Sequence, residues 1–189
     1  MAGRLIYLIG PSGSGKDSLL DAARGRLAER GCRIVRRVIT RSAEAVGEAA
    51  LGVSTQQFAE MDAQGAFALS WHANGLSYGI LREIDDWLAA GNDVLVNGSR
   101  GHLPNARERY PHMLVVLLTV DQAVLCERLL ARGRESVAEI DARLARNDRF
   151  NKRVLADNDS TLLVLDNSGA LENTVQRLLA SIDEQSACA

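Results

Sequence analysis

The sequence predicts an α/β fold, a sheet covered by helices, and three observations carry that expectation. Short apolar runs alternate with amphipathic stretches along all 189 residues. A Gly-rich loop, Gly10-Pro11-Ser12-Gly13-Ser14-Gly15-Lys16, separates the first apolar run from the first amphipathic stretch. No apolar run approaches the ~20 residues that span a bilayer.

The elements follow in order. Arg4 to Ile9 reads as a buried strand. Ser18 to Arg30 places Leu19, Leu20, Ala23 and Leu27 on one helical face, and Gly31 ends it. Cys32 to Ile39 reads as a second strand, and Arg41 to Gly52 as a loop or flap. Ser54 to Gln57 has capping-box spacing and starts a helix through Met61. Phe67 to Ala73 reads as a strand. Ile80, Ile84, Trp87 and Leu88 form a helical stripe before Gly91, and Asp93 to Val96 is a buried strand. Pro104 opens a helix toward Arg109, and Met113 to Val120 is the most apolar strand. Asp121 caps a helix that Gly133 breaks, and Ser136 with Glu139 makes a second capping box. Leu162 to Leu165 is the last strand, followed by a helix from Leu171 to Ile182. The tail from Gln185 to Ala189 is expected to fray.

Composition limits the partners. The formal net charge of −2, with 24% charged residues, gives no electrostatic footprint for nucleic acid. Three Phe, two Trp and three Tyr are too few for a base-stacking platform. Cys32, Cys126 and Cys188 show neither metal-ligand spacing nor a disulfide framework, and His72, His102 and His112 form no zinc pattern. Leu5 to Ile9 is too short for a signal-peptide core. The expectation is a cytoplasmic protein without membrane or nucleic-acid partners.

Gly10 to Lys16 is the G-x-x-x-x-G-K core of a phosphate-binding P-loop, in its strand–loop–helix setting. Its backbone N–H groups and the helix N-terminus favour anions, and Lys16 reaches the β- and γ-phosphates of a nucleotide. Asp17 stands where a Ser or Thr normally touches Mg²⁺, with Ser18 next. A carboxylate beside a triphosphate is repelled unless a cation lies between them, so Asp17 is expected to ligate or orient hydrated Mg²⁺. The plain alternative is an aspartate favoured by the helix N-terminus.

Arg128, Arg132 and Arg134 flank Gly133, and Arg143 and Arg146 follow on the next helical stretch. Such a pair of helices closes basic side chains over transferring phosphates, where catalysis is mostly positioning and charge stabilisation. The competing reading is a solvated basic face paired with Glu127, Glu135 and Glu139. Three further polar clusters exceed what a core requires. They are Ile39-Thr40-Arg41, Ser70 to Gly75 with Tyr78-Gly79, and Asn97 to His102. The third follows a buried strand, at the carboxyl edge where open α/β sheets bind ligands. With Arg36, Arg37, Arg41, Arg82 and Arg100 nearby, the clusters suggest a small phosphorylated substrate. No clear general base stands out, which favours an already ionised phosphate acceptor over a hydroxyl. His72 and His102 keep the hydroxyl acceptor open.

These motifs resemble the guanylate-kinase branch of P-loop nucleoside monophosphate kinases. The matching pieces are the loop, Ile39-Thr40-Arg41, Gly47-Glu48, Phe67 through Gly79, Arg128-Leu129, Arg132-Gly133 and Arg143-Leu144. The resemblance implies a five-stranded parallel sheet flanked by helices in one domain spanning 1–189. Its core would be 1–36, 92–127 and 155–184, with an acceptor-binding insert over about 37–91 and a lid over about 128–154. It also implies that Arg41 and Tyr78 hold the acceptor phosphate and that Asn167 lies near the adenine. The guanine-reading Glu of that branch is Leu69 here, a phosphate-binding Arg is Glu44, and its Asp-x-Asp is Asn97-Gly98-Ser99.

The replacements resemble another family, the ribose 1,5-bisphosphate phosphokinases of bacterial phosphonate breakdown. The resemblance rests on Gly10 to Ser18, Leu69 to Gly75, Asp93 to Arg100 and Glu139 to Leu144. It implies phosphoryl transfer from ATP, with Mg²⁺, to ribose 1,5-bisphosphate, yielding 5-phospho-α-D-ribosyl 1-diphosphate. Lys16, Arg128, Arg132 and Arg143 would act on the transferred group. Gly10 through Ser18 with Asn167 would hold ATP. Arg41, Trp71, His72, Tyr78, Asn97, Ser99 and Arg100 would hold the acceptor. The alternatives are a kinase for another phosphorylated acceptor, such as a nucleoside monophosphate, and a non-catalytic binding module of the same fold.

Overall fold

The computed structural model describes residues 2–41, 50–133, 135–156 and 161–187. The chain divides into two compact units. The first comprises Met1–Leu8 with Arg24–Leu114, and the second Ile9–Ala23 with Val115–Ala189. The expected insert therefore falls in the first unit, and the P-loop and expected lid in the second.

Strand β1 (Leu5–Ile9) is buried at every position, as a strand covered on both faces must be. It pairs in parallel with β7 (Asp93–Asn97), and β7 pairs in parallel with β2 (Cys32–Ile34). Strand β8 (Leu114–Thr119) pairs in parallel with β9 (Leu162–Asp166). The sheet order is β2-β7-β1-β8-β9, the five-stranded parallel sheet expected. The β1–β7 start is pinned by Arg4, whose backbone N–H and Nη2 donate to the two carboxylate oxygens of Asp93 at 2.8 and 2.7 Å.

A second sheet in the first unit has the order β4 (Ala50–Gly52), β3 (Arg37–Ile39), β6 (Leu76–Leu81), β5 (Phe67–Ala73). Here the structure departs from the sequence reading three times. The run from Cys32 to Ile39 is two strands, β2 and β3 (Arg37–Ile39), in different sheets. Periodicity cannot register a change of partner within one extended run. Ala50–Gly52 is a strand, β4, parallel to β3, at the end of the segment read as a loop. The calls on Glu44 and Gly47-Glu48 lie outside the described residues.

The third departure is β6 (Leu76–Leu81), antiparallel to β5 (Phe67–Ala73), so Ile80 belongs to a strand and not to a helical stripe. The hairpin turn is Asn74-Gly75, with φ of 52° and 74°. Two consecutive positive φ values are the type I′ turn that Asn-Gly favours, because its twist matches that of the flanking strands. The helical stripe proper is α3 (Glu83–Ala89), with Ile84 buried. Helix α2 (Thr55–Ala63) has the expected capping box: Gln57 N–H donates to Ser54 Oγ, and Ser54 N–H to Gln57 Oε1. Phe58 from it stacks on Phe67 with centroids 4.7 Å apart, closing a small core with Val38. Helix α4 (Leu103–Arg109) follows a single 3₁₀ turn, Arg100–His102.

Helix α1 (Lys16–Glu29) begins directly at the P-loop lysine, and its stretch through Ala23 falls in the second unit. Helix α5 (Gln122–Arg132) is capped by Asp121, which accepts from Ala123 N–H at 2.8 Å, and it ends at left-handed Gly133. Helix α6 (Val137–Ala156) starts at Ser136, whose backbone N–H and hydroxyl both donate to Glu139. These bonds hold the Glu139 carboxyl below its ordinary pKa, with the backbone bond the main cause. Leu125 and Leu129 of α5 pack on Ile140 and Leu144 of α6. Helix α7 (Leu171–Ala187) buries Val175, Leu178, Leu179 and Ile182. It continues through most of the tail expected to fray; Cys188 and Ala189 lie outside the described residues. Among the described residues no helix is long and apolar enough to cross a membrane.

Candidate active site

The loop after β1 is shaped by contacts that leave no room for side chains. A Ser14 N–H to Pro11 carbonyl bond of 3.1 Å closes its turn. Gly15 has φ of 88°, and a Cβ there would stand 2.7 Å from Asn167 Nδ2, so only glycine fits both the conformation and the contact. Lys16 Nζ donates to the carbonyls of Gly10 and Pro11 at 2.9 and 3.1 Å, folding the cation across the loop. Asp17 and Ser18 are exposed in the first turn of α1. Among the described residues no group of three or more His, Cys, Asp or Glu is placed to hold a metal. The fit for Mg²⁺ is one carboxylate and one hydroxyl, with phosphate oxygens and water supplying the rest, which is how this cation is commonly held beside phosphates.

Asn167 has a part the sequence did not disclose. Its side chain is buried and fully engaged: Nδ2 donates to the Ser14 carbonyl at 2.7 Å, and Oδ1 accepts from Thr174 Oγ1 at 2.9 Å. Its backbone carbonyl accepts from Arg128 Nη2 at 2.9 Å. The structure therefore brings Arg128, Asn167 and the P-loop together in one chain of bonds, with the Asn167 amide bracing the loop. Arg143 pairs through Nη2 with Glu135, one partner that the solvated-face reading named. Arg132 is exposed at the end of α5. Arg134 lies outside the described residues.

The first unit holds the other cluster. Trp71 and Tyr78 are register partners on β5 and β6, their rings 5.5 Å apart and 6° from parallel. His102, from the 3₁₀ turn after β7, stacks on Trp71 at 5.6 Å. Arg37 lies 5.3 Å over Tyr78 and donates through Nη1 to the Asn97 carbonyl at 3.2 Å. Burial lowers the His102 pKa, so its ring is neutral at pH 7. His72, adjacent to Trp71, takes the opposite face of β5, as strand alternation requires, and pairs with Ser77 Oγ at 2.8 Å. His102 and not His72 joins Trp71 and Tyr78.

The turn after β7 is moulded on Tyr7. Ser99 N–H donates to Tyr7 Oη at 3.0 Å, and Tyr7 Oη donates to the Ser99 carbonyl at 3.2 Å. A Cβ on Gly98 would stand 2.3 Å from the Tyr7 ring, so this approach requires glycine. Burial pushes the Tyr7 phenol up to about 12, keeping it a donor at neutral pH. Tyr7 was missed as a site residue because it lies inside an apolar strand run; its lone hydroxyl in that run was the available signal. Asn97 is buried at the end of β7. Arg41 and Thr40 line an open cavity of about 520 Å³ with Val53, Ser54 and Gln57.

A strand–glycine loop–helix with a lysine across the loop, on this parallel sheet, defines a P-loop kinase of the guanylate-kinase fold. Guanylate kinase from Anaplasma phagocytophilum superposes with a TM-score of 0.69 at 17% identity, over 97% of this chain and 86% of that one. A gluconokinase from Sinorhizobium meliloti superposes at 0.54 and 19% identity, over 97% and 93%. No family model matches the chain. Sequence relatives narrow the class. Ribose 1,5-bisphosphate phosphokinase PhnN of Pseudomonas fluorescens is 76% identical over 100% of both chains. The proteins of that name from Pseudomonas paraeruginosa and Azotobacter vinelandii are 64% and 60% identical, again over 100% of both. The chain belongs to the ribose 1,5-bisphosphate phosphokinase family, and a kinase of this fold takes its phosphoryl group from a nucleotide.

Proposed function

We propose that this protein transfers the γ-phosphoryl group of ATP to the 1-phosphate of ribose 1,5-bisphosphate, giving ADP and 5-phospho-α-D-ribosyl 1-diphosphate, in the cytoplasm. The full-length identity of 76% with the relative so named carries the reading. Mg²⁺, which Asp17 and Ser18 would help to hold, would supply charge neutralisation beside the nucleotide's phosphates.

The chain's own residues divide the work. Backbone N–H groups of Gly10 through Gly15 cradle the phosphates, and Lys16 leaves its carbonyl partners to meet the γ-phosphate. Asp17 orients the metal, with Ser18 beside it. Arg128, Arg132 and Arg143 stabilise the charge spread over the transferred group. Arg41, Tyr78, Asn97, Ser99 and Arg100 hold the doubly phosphorylated sugar beside Trp71, whereas His72, on the opposite face of β5, takes no part. The acceptor phosphate is ionised at neutral pH, so no base is required. This suits a cluster whose one stacked histidine, His102, is half-buried with its pKa lowered, while His72 on the other face is tied to Ser77.

Leu69 supports a sugar acceptor over guanine. It is 4% exposed, and a guanine seated there would leave its N–H donors unpaired at about 1–3 kcal/mol each. The test is a product assay with ATP, Mg²⁺ and either ribose 1,5-bisphosphate or GMP. The bisphosphate should give the higher kcat/KM by at least about 30-fold, as expected when two such donors go unpaired. Equal or better efficiency with GMP reverses the assignment.

A further inference from the structure

Helix α6 buries one stripe of residues, and the middle of that stripe is polar. Positions 140, 144, 147, 151 and 154 recur at alternating spacings of four and three, the period of a core-facing helix side. Ile140 and Leu144 pack at one end, and Val154 is buried at the other. Between them stands Asn147, 5% exposed, and among the described residues neither its Nδ2 nor its Oδ1 meets a partner. The same holds for Arg143 Nε one turn before it and for Asn151 Oδ1 one turn after it. Asn147 and Asn151 on that stripe, and Arg143 beside it, thus carry buried hydrogen-bonding atoms without partners among the described residues. Buried amides are ordinarily satisfied, and an unpaired one destabilises the fold that holds it.

The stripe begins beside the P-loop's own packing. Leu144 belongs to the cluster of Leu125 and Leu129, and a Cβ on Gly13 of the loop would stand 3.0 and 3.1 Å from those two side chains. The three side chains offer N–H donors from Arg143 and Asn147 and acceptors from the two amides. That mixture suits phosphate oxygens accompanied by hydroxyls or bound water. It does not suit an apolar partner.

We propose that Asn147 is a nucleotide-binding residue, its Nδ2 donating to a phosphate oxygen of the phosphoryl donor and its Oδ1 accepting from a hydroxyl or water carried with it. Asn151 extends the same stripe, and Arg143 Nε lies beside it. The inference rests on the nucleotide-binding reading of the loop, but not on the identity of the acceptor.

The experiment compares wild type, Asn147→Leu and Asn147→Ala for melting temperature without ligand and for AMP-PNP affinity by calorimetry. Asn147→Leu should melt at or above the wild-type temperature, because an apolar side chain completes an apolar stripe. Both variants should bind AMP-PNP about tenfold more weakly, the loss of one to two hydrogen bonds to a charged ligand. Unchanged AMP-PNP affinity in a folded variant overturns the proposal. So does weaker binding of ribose 1,5-bisphosphate with AMP-PNP affinity unchanged, which moves the residue to the acceptor. If neither variant folds, the amide is structural and the proposal fails. A wild type that binds AMP-PNP yet forms no 5-phospho-α-D-ribosyl 1-diphosphate breaks the proposed function and leaves this inference intact.

Discussion

The P-loop and the Trp71 cluster are built by opposite means. The P-loop is one uninterrupted stretch, Gly10 to Lys16, whose shape comes from backbone bonds and glycine conformations, with a distant brace in Asn167. The Trp71 cluster takes Tyr7, Arg37, Trp71, Tyr78, Ser99 and His102 from five separate segments of chain, and rings hold it together. A nucleotide's phosphates are the same in every kinase, so a local anion-binding device serves them all. An acceptor differs from family to family, and side chains gathered from separate segments are the means by which a fold shapes a particular pocket.

Four perturbations break or sharpen that contrast. The largest effect is expected in the loop: Lys16→Ala should cut kcat by about 10²- to 10³-fold while the melting temperature holds, because its charge matters most in the transition state. Near wild-type kcat in a folded variant would remove the loop from catalysis.

Asn167→Ala tests whether the brace serves one region or both. It removes the Ser14 carbonyl's bond to Asn167 and leaves the Thr174 hydroxyl only the Asp166 carbonyl, at about 1–3 kcal/mol of stability. The KM for ATP should rise and that for the sugar bisphosphate should not. A parallel rise in both constants would show that the two regions are mechanically coupled.

Asp17→Asn should shift the Mg²⁺ titration of the rate to higher concentration, and metal-free ATP binding should hold steady or tighten as repulsion is relieved. An unchanged Mg²⁺ midpoint with a loss of about 0.3–1 kcal/mol in stability would make Asp17 a helix-start residue only.

The smallest effect concerns the stack. Burial lowers the His102 pKa below its ordinary 6.5, so the unfolded chain binds the proton first as pH falls. Stability should therefore decline as pH drops through about 6.5, the side on which the unfolded state holds more protons. His102→Phe keeps an aromatic ring in the stack and should flatten that decline between pH 7 and 5.5. An identical pH profile in the variant would place the titrating group elsewhere.

How much was legible divides along the same line. The buried strands, the capping boxes at Ser54 and Ser136, the Asp121 cap and the Gly133 stop were all readable, because each depends on bonds within a few residues. The Asn74-Gly75 hairpin was not read, although Asn-Gly after an extended run is its signal, because Ile80 fits a helical spacing equally well and short apolar runs carry both periods. The split of Cys32 to Ile39 between two sheets left no local trace, since an extended strand looks the same whichever partner it takes.

By itself, then, the sequence determined the α/β class, the phosphate loop and its lysine, because backbone geometry and helix termini are properties of neighbouring residues. Only the tertiary structure decided that Asn167 braces the loop, that His102 stacks on Trp71 while His72 turns away, and that Tyr7 holds Ser99. Each of those contacts joins residues 31 to 153 positions apart, or turns on which face a strand presents. Strand pairing and burial set those choices, and no local pattern encodes them.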